Sequence, residues 1–461
     1  MLIIISDLHL TDGTSGETIR SNAFRVFRER LRNLVYDASW RADGKYRPIE
    51  ECHVVLLGDI FDLIRSRTWL DGPIRPWSAQ DQDFSNKVAA ITAGILKHNQ
   101  YSLDVLKSLS DGKTITIPPA SEEGTLAPAS REPGDPRRLP VKVLLQYMVG
   151  NHDWFYHLPG DAYDKIRRSV VEATLLENPV TSPFSHDVGE PQALQLQQLF
   201  REHGVFARHG DIFDSFNYEG NRNESSLGDA IVVELLNRFP SEVKRQFGDE
   251  LPPPCTAGLQ EIDNVRPLLI IPVWMDGLLR RTCSPAEAEK IKDIWDGLVD
   301  SFLEIDFVKK HRSVGHLFGD LAKLEWALKF SRGVSLGNLS HLVTWIKNKL
   351  GVHDAPFYPN AFNEAAFKDR SAKFIVYGHT HNYEVIPLDS TVTPQGILNQ
   401  AYINSGTWRA VHDLAQWRIS DQEFMGYHVM AYVTFFKGDE RFGRSFETWS
   451  GTLGFHGGPW S

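Results

Sequence analysis

Short apolar runs rich in Val, Ile and Leu recur along the chain, and several stop abruptly at a polar cluster. Leu2 to Ile5 precedes Ser-Asp-Leu-His, Val54 to Leu57 precedes Gly-Asp, and Val143 to Val149 precedes Gly-Asn-His-Asp. Val205 to Arg208 before His-Gly-Asp and Phe374 to Tyr377 before Gly-His-Thr-His follow the same grammar. Continuous β-branched runs of this kind read as buried strands with loops at their C-terminal ends. The five clusters are therefore expected on one rim of one sheet, where the loops of an open α/β sheet converge on a ligand. Ala401 to Trp408 and Gly426 to Phe436 alternate or run apolar with aromatics, which predicts closing strands.

Between the strands the period changes to that of helices. Ser284-Pro285-Ala286-Glu287 is a capping box with Pro at the first helical position, and it leads into Ile291, Ile294, Trp295, Leu298, Val299 and Phe302 on one face. Similar faces run through Leu227 to Leu236, Leu317 to Leu328, and Leu339 to Leu350 before Gly351. Residues 220–365 are thus expected to be a helical insertion within a domain formed by 1–219 and 366–461. The stretch 111–140 mixes Pro, Gly, Ser and Glu with little periodicity and is expected to be a long surface loop.

Composition narrows the class. Hydrophobic residues make up 42% and charged residues 23% of 461 residues, the balance of a folded globular protein, long enough for one large domain with an insertion or for two domains. The net charge of -10, with Lys and Arg scattered, argues against a nucleic-acid footprint. Three cysteines far apart in sequence, Cys52, Cys255 and Cys283, read as reduced structural thiols. The chain opens on Met1-Leu-Ile-Ile-Ile without a secretory pattern, and no apolar stretch approaches the roughly 18 residues of a membrane span, so a cytoplasmic location is expected.

Each cluster alone has an ordinary explanation. Asp7-Leu8-His9 reads as a strand terminus, Gly58-Asp59-Ile60-Phe61-Asp62 as a turn with an Asp N-cap, and Gly150-Asn151-His152-Asp153 as a turn. Gly378-His379-Thr380-His381 is sharper, because two imidazoles two residues apart can face one ion. From 35 Gly and 17 His, chance predicts about 0.05 occurrences of Gly-His-any-His. The conjunction decides: five clusters, each ending an apolar run, together supply carboxylates, imidazoles and an amide.

This ordered set, Asp-x-His, Gly-Asp-x-x-Asp, Gly-Asn-His-Asp, a lone His and Gly-His-x-His, resembles the signature of the calcineurin-like metallophosphoesterases, spread from Asp7 to His381. The resemblance implies a four-layer α/β sandwich with two central mixed β-sheets flanked by helices, 1–219 and 366–461 being the catalytic domain and 220–365 a helical cap. It implies that Asp7, His9, Asp59 and His381 bind one metal and Asp59, Asn151, His209 and His379 the other, with Asp59 bridging. His152 is then the catalytic acid, held by Asp153, and Asn404-Ser405-Gly406-Thr407 looks like the strand end after the last motif. The implied activity is hydrolysis of a phosphomonoester, phosphodiester or pyrophosphate of a small phosphorylated substrate by a water activated between two divalent ions.

The residue types suit that chemistry on their own. A shared carboxylate can hold two cations roughly 3.5 to 4 Å apart, and mixed imidazole and carboxylate ligands fit Mn, Fe, Co, Ni or Zn better than Ca or Mg. His209 is preferred over His203, His311, His316, His341 and His353 because it follows the one apolar run in its interval that ends in a polar turn. Asp62 and Asp211 are candidates to orient ligand imidazoles. The cap aromatics Trp295, Phe302, Phe307, Phe318, Trp326, Phe330 and Trp345 read first as packing of the cap itself and second as a recognition surface. Among relatives, the His-Gly-Asp block followed by a helical insertion looks most like UDP-2,3-diacylglucosamine pyrophosphohydrolases, although the insertion here is much longer. Two alternatives share the motif order: a catalytically silent interaction module, and a nuclease acting on DNA ends.

Overall fold

The computed structural model describes residues 1–16, 19, 22–127, 134–265, 271–313, 356–394, 396–415, 417 and 424–455. The expected helical faces at 317–328 and 339–350 lie outside the described residues, as do His316, His341, His353, Phe318, Trp326, Phe330 and Trp345. The fold is mixed α/β. Its described strands are β1 (Leu2–Ile5), β2 (Glu51–Leu57), β3 (Thr116–Ile117), β4 (Leu139–Pro140), β5 (Lys142–Met148), β6 (Val205–Ala207), β7 (Phe374–Tyr377), β8 (Glu384–Thr393), β9 (Gly396–Asn404), β10 (Ala410–Leu414), β11 (Phe424–Phe435) and β12 (Phe446–Phe455).

The strands build two larger mixed sheets, which corrects the expectation of a single sheet. One has the order β10-β11-β1-β2-β5 with β12 beside β11, and the other β6-β7-β9-β8. Three motif-bearing strands, β1, β2 and β5, lie parallel in the first; the other two, β6 and β7, lie parallel in the second. Strand alternation explains the pairing. Leu2, Ile4, Val55, Leu57 and Met148 share one apolar cluster with Val205, Ala207, Phe374, Val376 and Ile403 of the other sheet. Ile3, Ile5, Val54, Leu56 and Leu145 turn the opposite way, into a cluster with Phe24, Phe27, Leu31, Val88, Ile91 and Val170 from helices. Both faces of these strands are buried, and an apolar run buried on both faces carries no mark of which sheet it joins.

The predicted capping box forms. Ser284 and Glu287 bond reciprocally at the start of helix Pro285–Leu303, whose buried side chains include Ile291, Ile294, Trp295, Leu298, Val299 and Phe302. Leu227–Ile231 opens a second helix on a Ser226–Asp229 capping box and runs through a π-helical segment, Val232–Asn237, into Arg238–Phe247. These helices are not walled off from the rest: Leu227, Val233, Phe239 and Trp295 belong to the same apolar cluster as Ile3 and Phe24. Within 111–140 the expected long surface loop is tied at its ends, where β3 pairs with β4 and Ile115 and Ile117 are buried. Cys255 and Cys283, 28 positions apart, lie with their Sγ atoms 3.1 Å apart as free thiols. No helix among the described residues is long and apolar enough to cross a membrane.

Candidate metal centre

The five polar clusters follow the C-terminal ends of β1, β2, β5, β6 and β7, and backbone bonds stitch them together. Asp7 N donates to Gly58 O at 3.1 Å, His9 N to Asp59 O at 2.9 Å, and Gly378 N to His209 O at 2.8 Å. The chain bends sharply at the polar residues. Asp7, His9, Asp59, His379 and His381 all have φ between 50° and 67°. A non-glycine residue held there costs on the order of 1–3 kcal/mol, and such strain collects where surrounding structure fixes a side chain for function. Glycines make room for the close approach. At Gly58, φ is +83° and a Cβ would sit 2.5 Å from His209 Nδ1; at Gly378 it would sit 2.6 Å from Ser6 Oγ.

All seven predicted ligands are brought to one place, in two groups that share Asp59. Asp59 Oδ1 accepts from His152 N at 2.8 Å, which leaves Oδ2 facing His209 Nε2 at 3.2 Å and His9 Nε2 at 3.7 Å. On one side, His9 Nε2 and His381 Nε2 are 3.0 Å apart, with Asp7 Oδ1 3.3 Å from the latter. Asp7 Oδ2 takes the His379 amide and the Ser6 hydroxyl, whereas Oδ1 is buried without a well-formed hydrogen bond. On the other side, Asn151 Oδ1 lies 3.2 Å from His209 Nε2 and 3.1 Å from His379 Nδ1.

The far nitrogens of three rings are anchored, which fixes the face each ring presents. His9 Nδ1 bonds Asp62 Oδ2 at 2.7 Å, His209 Nδ1 bonds Leu57 O at 2.9 Å, and His379 Nε2 bonds Asp214 Oδ2 at 3.0 Å. Electrostatics point the same way. Burial opposes ionisation of Asp59 and Asp62, but the imidazoles of His209 and His152 beside Asp59, and of His152 and His9 beside Asp62, outweigh it and hold both carboxyls well below their usual range. Burial likewise opposes a charge on His209, yet Asp59 and Asp7 push its pKa up to about 10. His381 goes the other way, held well below its ordinary value by burial despite Asp7. Three buried carboxylates thus share a small volume, an arrangement that demands compensating positive charge. An orphaned carboxylate oxygen, an amide oxygen and ring nitrogens aimed at common points fit divalent cations of the imidazole-binding type.

Asp62, and not Asp153, holds His152. His152 Nδ1 bonds Asp62 Oδ1 at 2.7 Å, so one carboxylate serves both His9 and His152. Asp153 faces away from the ring. It accepts the amides of Ile60 at 2.8 Å and Gly150 at 2.6 Å and the Tyr147 hydroxyl, fastening the turn. Burial and the nearby charge of Asp59 raise its pKa to about 7. Asp211 also departs from expectation, because its carboxylate pairs with Arg222, whose Nη1 donates to Gly150 O at 3.1 Å, and orients no imidazole. For His152 itself, burial favours the neutral ring, but Asp62 and Asp59 prevail and raise its pKa to about 9.

Sequence patterns missed Asp214, Arg222 and Asp263, the last contributing to the raised pKa of His152. Asp214 lies three residues beyond His-Gly-Asp, and that proximity was the one available signal. No protein-family model and no curated protein matches the chain.

Proposed function

We propose that the chain is a metal-dependent phosphoesterase that hydrolyses a phosphomonoester, phosphodiester or pyrophosphate bond. The observation that carries this is the convergence of seven donors around the shared carboxylate of Asp59, with His152 beside them. Asp7, His9, Asp59 and His381 would hold one divalent ion, and Asp59, Asn151, His209 and His379 the second. When bound, such a pair lowers the pKa of water and offsets charge on phosphoryl oxygens.

The chain's own residues supply the rest. His152, kept protonated near neutrality by Asp62, is placed to donate a proton to a leaving oxygen. Its ring lies 4.7 Å from that of His9, centroid to centroid, and a small part of its side chain stays open to solvent. Asp62 couples the two, orienting a candidate ligand and the acid through one carboxylate. Asp153 shapes the turn that presents His152. The two mixed sheets with helices outside them are read as the four-layer sandwich of calcineurin-like metallophosphoesterases, and 220–365 as a cap. Both ends of that segment touch the site: Arg222 bonds Gly150 O, and the Phe357 ring lies 5.7 Å from that of His379. A small phosphorylated substrate covered by the cap is the expected occupant.

The test is turnover of a chromogenic aryl phosphate mono- or diester by the purified chain with added Mn. His152→Ala and Asp59→Asn are each expected to abolish it. Retained activity in either variant would sink the mechanism, and a chain that binds no stoichiometric metal would favour a silent interaction module.

A further inference from the structure

A second cluster of metal-type donors stands apart from the seven. His157 ends the turn Trp154–His157 that follows Gly-Asn-His-Asp, while His186 and Glu190 lie in the loop before helix Leu194–His203. One ring nitrogen from each imidazole and one Glu190 oxygen all lie within 4.8 Å of one another. Glu190 Oε1 is 3.1 Å from His157 Nε2 and 2.5 Å from His186 Nδ1. The rings meet edge to face, with centroids 4.9 Å apart.

Two of the three donors, His157 and Glu190, are oriented from behind by partners that leave one atom turned inward. His157 Nδ1 bonds Asn223 Oδ1 at 2.8 Å; as a donor there, it leaves a lone pair on Nε2. Glu190 Oε2 accepts the His186 amide at 3.2 Å and Gln192 Nε2 at 2.9 Å, which leaves Oε1 for the rings. His186 Nδ1 is buried, and despite its closeness to Glu190 it has no well-formed hydrogen bond. Burial would raise the Glu190 pKa, but the facing imidazoles of His157 and His186 prevail and hold it at about 2. With Nδ1 donating to Asn223, a neutral His157 sets its Nε2 lone pair against Glu190 Oε1, 3.1 Å away. Either a proton or a cation must lie between them.

We propose that His157, His186 and Glu190 form a third, mononuclear divalent-metal site of the zinc-binding type. Two imidazoles and a carboxylate are a three-ligand zinc set, with the fourth position left to water. The side chains are only 14%, 20% and 17% exposed, enough to admit a solvent ligand and little else. An ion there ties the turn that follows His152 to the loop before Leu194, and through Asn223 to the start of the helical insertion. The proposal does not depend on the phosphoesterase reading.

The experiment is a metal count on the full chain. Protein stripped by chelator, re-equilibrated with a small excess of Zn²⁺ and desalted is expected to carry three ions. His186→Ala and Glu190→Gln are each expected to carry one fewer, while Asp59→Asn keeps this ion and loses one or both of the others. Reconstitution with Co²⁺ gives an independent readout, a tetrahedral visible band in wild type that Glu190→Gln lacks. Should His186→Ala fail to fold by circular dichroism, the near-isosteric Glu190→Gln decides. Equal counts in wild type and Glu190→Gln overturn the site and leave an imidazolium–carboxylate cluster. Loss of ions confined to Asp59→Asn overturns this site alone; a zinc count unchanged by Asp59→Asn but reduced by Glu190→Gln overturns the central assignment alone.

Discussion

The rim loops and the helical segment from Leu227 to Ser313 both bury side chains, yet of different kinds. At the rim, five polar residues sit at positive φ, three carboxylates share one small volume, and His209 and His152 have pKa values raised by them. In the helical segment no described non-glycine residue has positive φ. Its Phe239 and Trp295 rings meet edge to face at 5.1 Å, Phe307 stacks on Trp77 at 4.9 Å, and Trp295 and Phe302 are fully enclosed. Strain and concentrated charge raise the energy of the fold, so where they cluster something other than stability maintains them. Ordinary dihedrals and apolar contacts lower it. The described aromatics of the helical segment accordingly serve packing, the first of the two roles expected for them.

Substitutions can separate these two kinds of burial. The largest effect is expected at His152→Gln, which should lower kcat by about 10² to 10⁴-fold with the melting temperature nearly unchanged. A parallel drop in melting temperature would erase the contrast. Trp295→Ala should do the reverse, costing about 3–5 kcal/mol of stability in denaturant titrations while activity per folded molecule is kept. If activity collapses and stability holds, the helical segment takes part in recognition.

Asp62→Asn should weaken metal binding by about 10 to 100-fold, read by competition with a chelating dye. It should also move the basic limb of kcat/KM. On the proposed mechanism His152 acts in its protonated form, so activity is expected to fall as pH rises through its pKa, about 9 with both carboxylates ionised. Losing the charge of Asp62 removes the largest of the contributions that raise it, with Asp59 and Asp263 keeping theirs, so the limb is expected at lower pH. A limb that stays in place would break the link between His152 and Asp62.

The smallest effect is expected at Asp153→Asn. The folded pKa of Asp153 is about 7, above the ordinary carboxyl value near 3.9, so the native state holds its proton more tightly than the unfolded chain. Stability from this group is complete below about pH 4 and is lost as pH rises towards 7. Asn mimics the protonated form, so the unfolding free energy of the metal-free variant, from urea titration, should gain on wild type by about 1 kcal/mol or more between pH 5 and pH 8. A constant difference across that range would show that Asp153 does not titrate there.

The legible part of the site was the part written in adjacent residues. An apolar run followed by Asp-x-His or Gly-His-x-His announces a strand and its loop, and the structure places Asp7, His9, Asp59, Asn151, His209, His379 and His381 together. What failed were inferences from nearness in sequence. Asp153 adjoins His152 but turns to the Ile60 and Gly150 amides, while Asp62, ninety positions away, meets the ring. Asp211 adjoins the His209 block but pairs with Arg222, leaving Asp214 to hold His379. The ends of 111–140 pair as strands although their sequence has no strand period.

By itself the sequence determined which residues end each strand and which side-chain types those ends carry, because local alternation, glycine and apolar runs act over a few positions. Only the tertiary structure decided that the five ends come from two sheets, that Asp62 serves both His9 and His152, and that His157 and His186 meet over Glu190. Hydrogen bonds and ligand contacts reach about 3 Å through space whatever the separation along the chain, so packing alone selects among chemically equal partners.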